Sequence, residues 1–164
     1  MAKYVSDDET VDRALLALRG DPHLRNTCVV ALRGWKMKGR QGLFDEFAAA
    51  LQFPYYFGEN WNAFIDCIGD LGWMRSEAFV LVVERASDAL VVADSDEFVL
   101  WLRRLQDAAA DLSRATSLQS ARPFHVILHE VPERVLALET RLRDLGLPLP
   151  EFELGAMGTP DDTK

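Results

Sequence analysis

Three stretches of the chain carry apolar, β-prone residues with almost no polar alternation: 27–33 (Thr-Cys-Val-Val-Ala-Leu-Arg), 78–84 (Ala-Phe-Val-Leu-Val-Val-Glu) and 123–129 (Pro-Phe-His-Val-Ile-Leu-His). Runs of this kind are strands covered on both faces. Elsewhere the apolar residues recur at helical spacing. Leu43, Phe44, Phe47, Ala48 and Leu51 predict a helix over 42–52, and Phe98, Leu102, Leu105 and Ala109 predict one capped by Asp94 or Ser95 and running to about residue 114. A short helical turn is expected within 86–92. Toward the N-terminus, Ser6 and Glu9 form a capping box ahead of Val11, Ala14, Leu15 and Leu18, predicting a helix over 7–19 that Gly20-Asp21-Pro22 ends. Toward the C-terminus, Pro132 opens a helix with Val135, Leu138, Leu142 and Leu145 on one stripe, stopped by Gly146 and Pro148. Residues 1–5 read as frayed, 117–120 as loop and 155–164 as a disordered tail. Strands alternating with helices specify an α/β fold: a small three-stranded parallel sheet with right-handed crossovers and helices packed on it, plus extra N- and C-terminal helices. The expected organisation is an N-terminal helical extension (1–26), a central domain (27–130), a C-terminal helical extension (131–154) and the tail.

Local chemistry is densest over 54–73, Pro-Tyr-Tyr-Phe-Gly-Glu-Asn-Trp-Asn-Ala-Phe-Ile-Asp-Cys-Ile-Gly-Asp-Leu-Gly-Trp. Pro54 and Gly58 bracket three aromatics in a segment that cannot stay regular, and Asn60 is the natural N-cap of a helix starting at about Trp61. Projected at roughly 100° per residue, Trp61, Phe64, Cys67, Ile68 and Leu71 share a core face, and Asn62, Asp66, Asp70 and Trp73 fall opposite. Carboxylates on such a face are commonly just solvated. Here, however, no Lys or Arg occurs between Arg40 and Arg75, so Asp45, Glu46, Glu59, Asp66 and Asp70 have no cation nearby in sequence. Solvated helices usually interleave the two signs.

Composition narrows the function classes. The chain has 164 residues, is 49% hydrophobic and has a formal net charge of -8, with a pI near 4.9. That length suits one domain with appendages. The acidity argues against general nucleic-acid binding and favours a cationic partner. No run of about eighteen uncharged apolar residues is present, and acids stand where a signal peptide needs basic and then apolar residues, so a cytoplasmic protein without membrane contact is expected. Cys28 and Cys67 are too few and too separated for a zinc site and read as small buried hydrophobes. The loop 33–40 carries Arg33, Lys36, Lys38 and Arg40 around Trp35, which superficially suits RNA, but so few cations read better as a solvated connector. His125 and His129, four apart on a strand, stand about 13 Å from one another and suit no metal. Phosphate-binding, nucleophile-elbow and metalloprotease motifs are absent, and Asp66 with Asp70 on a convex helix lacks the cleft that paired catalytic carboxylates need, so no enzyme, cofactor or metal is expected.

The segment Phe53-Pro54-Tyr55-Tyr56-Phe57-Gly58-Glu59-Asn60-Trp61-Asn62-Ala63, followed by Asp66-Cys67, resembles the signature of the barstar family of intracellular ribonuclease inhibitors. The resemblance spans roughly 28–129, strongest over 54–73. It implies a domain that plugs a basic extracellular or effector ribonuclease with this loop and helix, presenting carboxylates where the nuclease expects RNA phosphates. Carried across, Tyr56, Gly58, Trp61, Asn62, Ile65, Asp66 and Trp73 fall on partner-contacting positions, with Asp66 on the family's key anion and Asp70 nearer the rim. Asn62 replaces an acid and Ile65 an aromatic, which implies a partner surface that differs at those points. The family supplies a further acid from its long helix, and Leu105-Gln106-Asp107 offers only Asp107. The implied protein is an immunity-type inhibitor, monomeric when free. A barstar-fold regulatory or adaptor module for another basic protein, and an RNA binder using 33–40, are the alternatives.

Overall fold

The computed structural model describes residues 1–115, 120–147 and 149–151. Its strands are β1 (Ala2–Val5), β2 (Thr27–Arg33), β3 (Ala78–Glu84) and β4 (Phe124–Glu130), and its α-helices are α1 (Asp8–Gly20), α2 (Arg40–Leu51), α3 (Trp61–Asp70), α4 (Ser95–Leu112) and α5 (Val135–Asp144). Short 3₁₀ turns at Pro22–Leu24, Gly34–Lys36, Ala86–Asp88 and Pro132–Arg134 join them. All strands run parallel in the order β1-β4-β3-β2. The fold is α/β, as the strand and helix patterns predicted.

The sheet has four strands rather than three. Residues 2–5 are not frayed: they extend the edge beyond β4, with Ala2 opposite Ile127 and Val5 opposite Glu130. The Lys3 amide donates to the Pro150 carbonyl at 2.9 Å, so the C-terminal segment lies against β1 in turn. β4 carries apolar side chains on both faces and an unpaired edge that β1 satisfies. A four-residue strand with only Tyr4 and Val5 as strand formers leaves no periodicity to read. The α1 cap also differs. Asp7, not Ser6, accepts from the Thr10 amide at 2.7 Å. Ser6 is engaged by the sheet, its amide donating to Glu130 and its hydroxyl lying 3.2 Å from His129 Nε2.

Strand alternation divides the core in two. On one face α1 lays Val11, Leu15 and Leu18 over Val29, Val82 and Ile127. On the other, Leu32, Phe79, Leu81, Val83, Val126 and Leu128 meet the buried sides of α2, α3, α4 and α5. The second layer positions the acidic helix, since α3 packs between the sheet-covering α2 and α4 with Phe64 and Ile68 fully buried. Of the two histidines, His125 is exposed and His129 is buried on the α1 side. Residues 117–119, Pro148 and the tail lie outside the described residues. No described helix is long and apolar enough to cross a membrane.

Candidate functional site

The loop entering α3 is held from below by interlocked aromatics. Phe53 meets Phe57 edge-on at 5.0 Å, Phe57 meets Phe44 at 5.8 Å, and Phe44 meets Trp61 at 5.2 Å. Each such contact contributes about 0.5–1.5 kcal/mol beyond the area it buries. Polar contacts finish the job. Asn60 accepts from the Ala63 amide at 3.0 Å and caps α3, while its amide nitrogen donates to the Gly58 carbonyl at 3.0 Å. Glu59 sits at φ 48°, a left-handed conformation that costs free energy for any residue but glycine, and Gln41 holds its carboxylate at 2.8 Å. A side chain in that conformation persists because its surroundings overdetermine it.

On this scaffold the residues singled out by sequence separate into two groups. Trp61 and Trp73 are half-buried supports. The Trp61 indole donates to Glu97 at 3.3 Å, and Glu97 also pairs with Arg40. The Trp73 indole donates to the Leu51 carbonyl at 2.9 Å, with its ring edge-on to Phe53 at 5.9 Å. Trp73 is not on the helix at all: α3 stops at Asp70, and Leu71 turns left-handed at φ 47°. The other group faces solvent. Tyr56 is 67% exposed, Gly58, Asn62, Asp66 and Asp70 are exposed, and Ile65 is partly so. Tyr55, which the sequence reading left out, is fully exposed beside Tyr56 with its ring edge-on at 5.6 Å. Its only signal was its place in the aromatic triplet.

Among the described residues, no hydrogen bond or ion pair engages the carboxylate of Asp66 or Asp70. Their field is felt nearby, because burial first, and then the charges of Asp66 and Asp70, push the Cys67 thiol above its usual range. Ile65, Asp66 and Asp70 line one wall of an open groove between α3 and α4, and Asp107 lines the other. Asp107 is not free: Arg104 donates to it at 3.1 Å. Glu46 likewise leaves the anionic set, since Arg33 binds it through both guanidinium edge and backbone amide.

A residue no motif pointed to fixes the far end of α3. Arg122, just ahead of β4, spreads its guanidinium over the Asp70, Leu71, Met74 and Ser76 carbonyls at 2.8–3.3 Å, and stacks over the Phe79 ring at 4.9 Å. The helix terminus thereby gains donors for carbonyls that have none within the helix. Chemically the arrangement can hold cations. Among the described residues the groove contains no histidine, serine or cysteine that Asp66 or Asp70 could activate, and no three His, Cys, Asp or Glu side chains cluster as a metal centre requires.

A family model described as Barstar (barnase inhibitor) matches residues 27–129, more than half of the chain, from the first residue of β2 to the penultimate residue of β4. No curated protein matches the chain.

Proposed function

The chain belongs to the barstar family, and on that premise we propose that it inhibits a cationic ribonuclease by seating the 53–61 loop and α3 in the enzyme's active-site groove. The observation that carries this reading is an exposed, uncompensated Asp66 held on a rigid aromatic scaffold. A ribonuclease cleft gathers Arg, Lys and His for phosphates, and their like charges repel until an anion arrives. A fixed carboxylate takes the phosphate's place without the entropy cost of ordering a flexible chain. Asp66 is the central anion, Tyr55 and Tyr56 supply aromatic surface that excludes water around it, and Asp70 acts from the rim. The negative net charge accelerates encounter with a basic enzyme. The role is binding rather than catalysis, exercised in the cytoplasm as self-protection, by a monomer when free.

Titration against a cationic ribonuclease, with barnase as the first probe, tests the reading through RNA cleavage. Stoichiometric loss of cleavage is expected. Removing one partner of a desolvated ion pair costs about 3–5 kcal/mol, and 1.4 kcal/mol is tenfold in affinity. Asp66→Ala therefore weakens binding by more than about tenfold while the far-UV spectrum and melting midpoint stay put. Unchanged affinity for an inhibited nuclease would remove Asp66 from the mechanism. A second reading, an adaptor for some other basic protein, draws on Asn62 and Ile65, which stand where the family has an acid and an aromatic. An adaptor would bind its partner without abolishing RNA cleavage.

A further inference from the structure

The two walls of the α3–α4 groove carry carboxylates in different company. Asp66 and Asp70 on the α3 wall have no ion-pair partner among the described residues, whereas on the α4 wall Arg104 holds Asp107 at 3.1 Å and Arg114 holds Asp111 at 3.4 Å. The Arg114 pair is 70% exposed on both sides, so water screens it. Arg104 differs. Its side chain is 41% exposed against 60% for Asp107, so water screens that pair in part, but its Nε is buried with no acceptor among the described residues and only one of its other donors is engaged, by Asp107. A guanidinium stays charged at any physiological pH, and a buried N–H without an acceptor is costly. The groove is thus anionic on one side and carries an under-satisfied cation on the other.

We propose that Arg104 is the specificity-determining residue of this face: it withdraws Asp107 from the partner and makes the α4 wall select a cleft that sets an oxygen acceptor, carboxylate or carbonyl, beside its phosphate-binding cations. The inference rests on the inhibitor reading above. A cleft lined by cations alone is drawn to Asp66 and repelled at Arg104. A cleft with an acceptor at that place satisfies both walls and completes the hydrogen bonding of the Arg104 guanidinium. The counter-charge lowers affinity for the first kind of enzyme and spares the second, which is how discrimination is built from a repulsive element.

Barnase serves as the probe, with calorimetric titration and RNA cleavage measured at about 0.15 M salt for the wild type, Arg104→Gln, the double variant Arg104→Gln/Asp107→Asn, Asp66→Ala, and Arg25→Gln as an exposed arginine outside the groove. Arg104→Gln is expected to bind barnase about three- to tenfold more tightly than the wild type, the scale of one unit charge near a protein surface. Part of the gain is lost in the double variant, because the freed Asp107 supplies that part and removal of the Arg104 charge the rest, and Arg25→Gln changes nothing. Equal tightening by Arg104→Gln and Arg25→Gln overturns the proposal, as does weaker binding by Arg104→Gln, or no binding of barnase by either the wild type or Arg104→Gln. The Asp66→Ala arm judges the inhibitor reading separately: insensitivity there sinks that reading, whereas Asp66 dependence with Arg104 insensitivity sinks only this one.

Discussion

Replacing Arg122 probes what holds the acidic helix in place. Its guanidinium donates to four carbonyls: Ser76 through Nε at 3.1 Å and Nη2 at 3.0 Å, Met74 at 2.8 Å, Leu71 at 3.0 Å and Asp70 at 3.3 Å. Hydrogen bonds to a charged group contribute about 1.5–3 kcal/mol each when buried. Arg122 is half-buried and the Asp70 contact is long and exposed, so water replaces part of what is lost. Counting the Leu71, Met74 and Ser76 carbonyls at roughly 1 kcal/mol apiece, with a few tenths from stacking on Phe79, gives about 2–4 kcal/mol for Arg122→Met. At about 2–4 °C per kcal/mol for a chain of this size, the melting midpoint falls by roughly 4–16 °C. Arg122→Lys keeps the charge but cannot span all these carbonyls, so it recovers less than half of the loss. Thermal and urea unfolding followed by tryptophan fluorescence measure both variants, and Trp73, in the same α3–β3 connection, reports the local change. A midpoint for Arg122→Met within about 1 °C of the wild type, or full recovery by lysine, refutes the claim that a planar multidentate donor anchors this end of α3.

Two further perturbations read the scaffold. Burial lowers the His129 pKa, with the bond to the Ser6 carbonyl at 3.0 Å opposing, so the folded protein holds the ring neutral where an unfolded histidine, with a pKa of about 6.5, takes a proton. Stability is therefore full above about pH 6.5, falls as pH drops from there toward the lower folded value, and then levels. His129→Gln flattens that segment of a urea-midpoint profile, and an unchanged slope refutes the assignment. Gly42 lies inside α2, where alanine would ordinarily add about 1 kcal/mol of helix stability. A β-carbon there meets the Lys36 carbonyl oxygen head-on, so Gly42→Ala destabilises by about 1–3 kcal/mol, and a raised melting temperature would contradict the close packing of α2 on the 34–36 turn.

Strands β2, β3 and β4 were legible because covering on both faces leaves a continuous apolar run, and α3 because Asn60, its cap, stands beside a turn-forming loop. Where the chain was misread, the missing information is long-range or conformational. Helical projection carried α3 on to Trp73, since nothing in Leu71-Gly72 announces that the leucine rather than the glycine turns left-handed. Ser6 has the better capping-box partner in sequence, yet it is taken by His129 of the neighbouring strand β4, 123 residues further along the chain. The same holds for charge. Counting cations along the chain left Glu46 in the anionic set, and only folding brings Arg33 onto it, whereas Arg104 stands three residues before Asp107 on the same helix. Of the five acids between Arg40 and Arg75, Asp66 and Asp70 keep their exposure and have no partner among the described residues, whereas Gln41 engages Asp45 and Glu59 and Arg33 engages Glu46.

Those two aspartates sit where folding by itself would prefer the opposite sign. Asp70 is the last residue of α3, whose final turn contains no basic residue, and Asp66 lies one turn before it. A helix C-terminus carries partial negative charge, so an anion there costs about 0.3–1 kcal/mol, and like charges four apart add roughly 0.2–0.5 kcal/mol. Arg122 offsets the first of these from outside the helix, over the carbonyls of Asp70 and Leu71. If the charges persist for a partner's sake, removing one separates stability from binding. Asp70→Asn is expected to raise the unfolding free energy by about 0.5–1 kcal/mol and, in stopped-flow mixing with an inhibited ribonuclease, to slow association at low salt while leaving dissociation nearly unchanged. A stabilised variant that associates at the wild-type rate would mean that Asp70 repels its own helix without steering anything toward it.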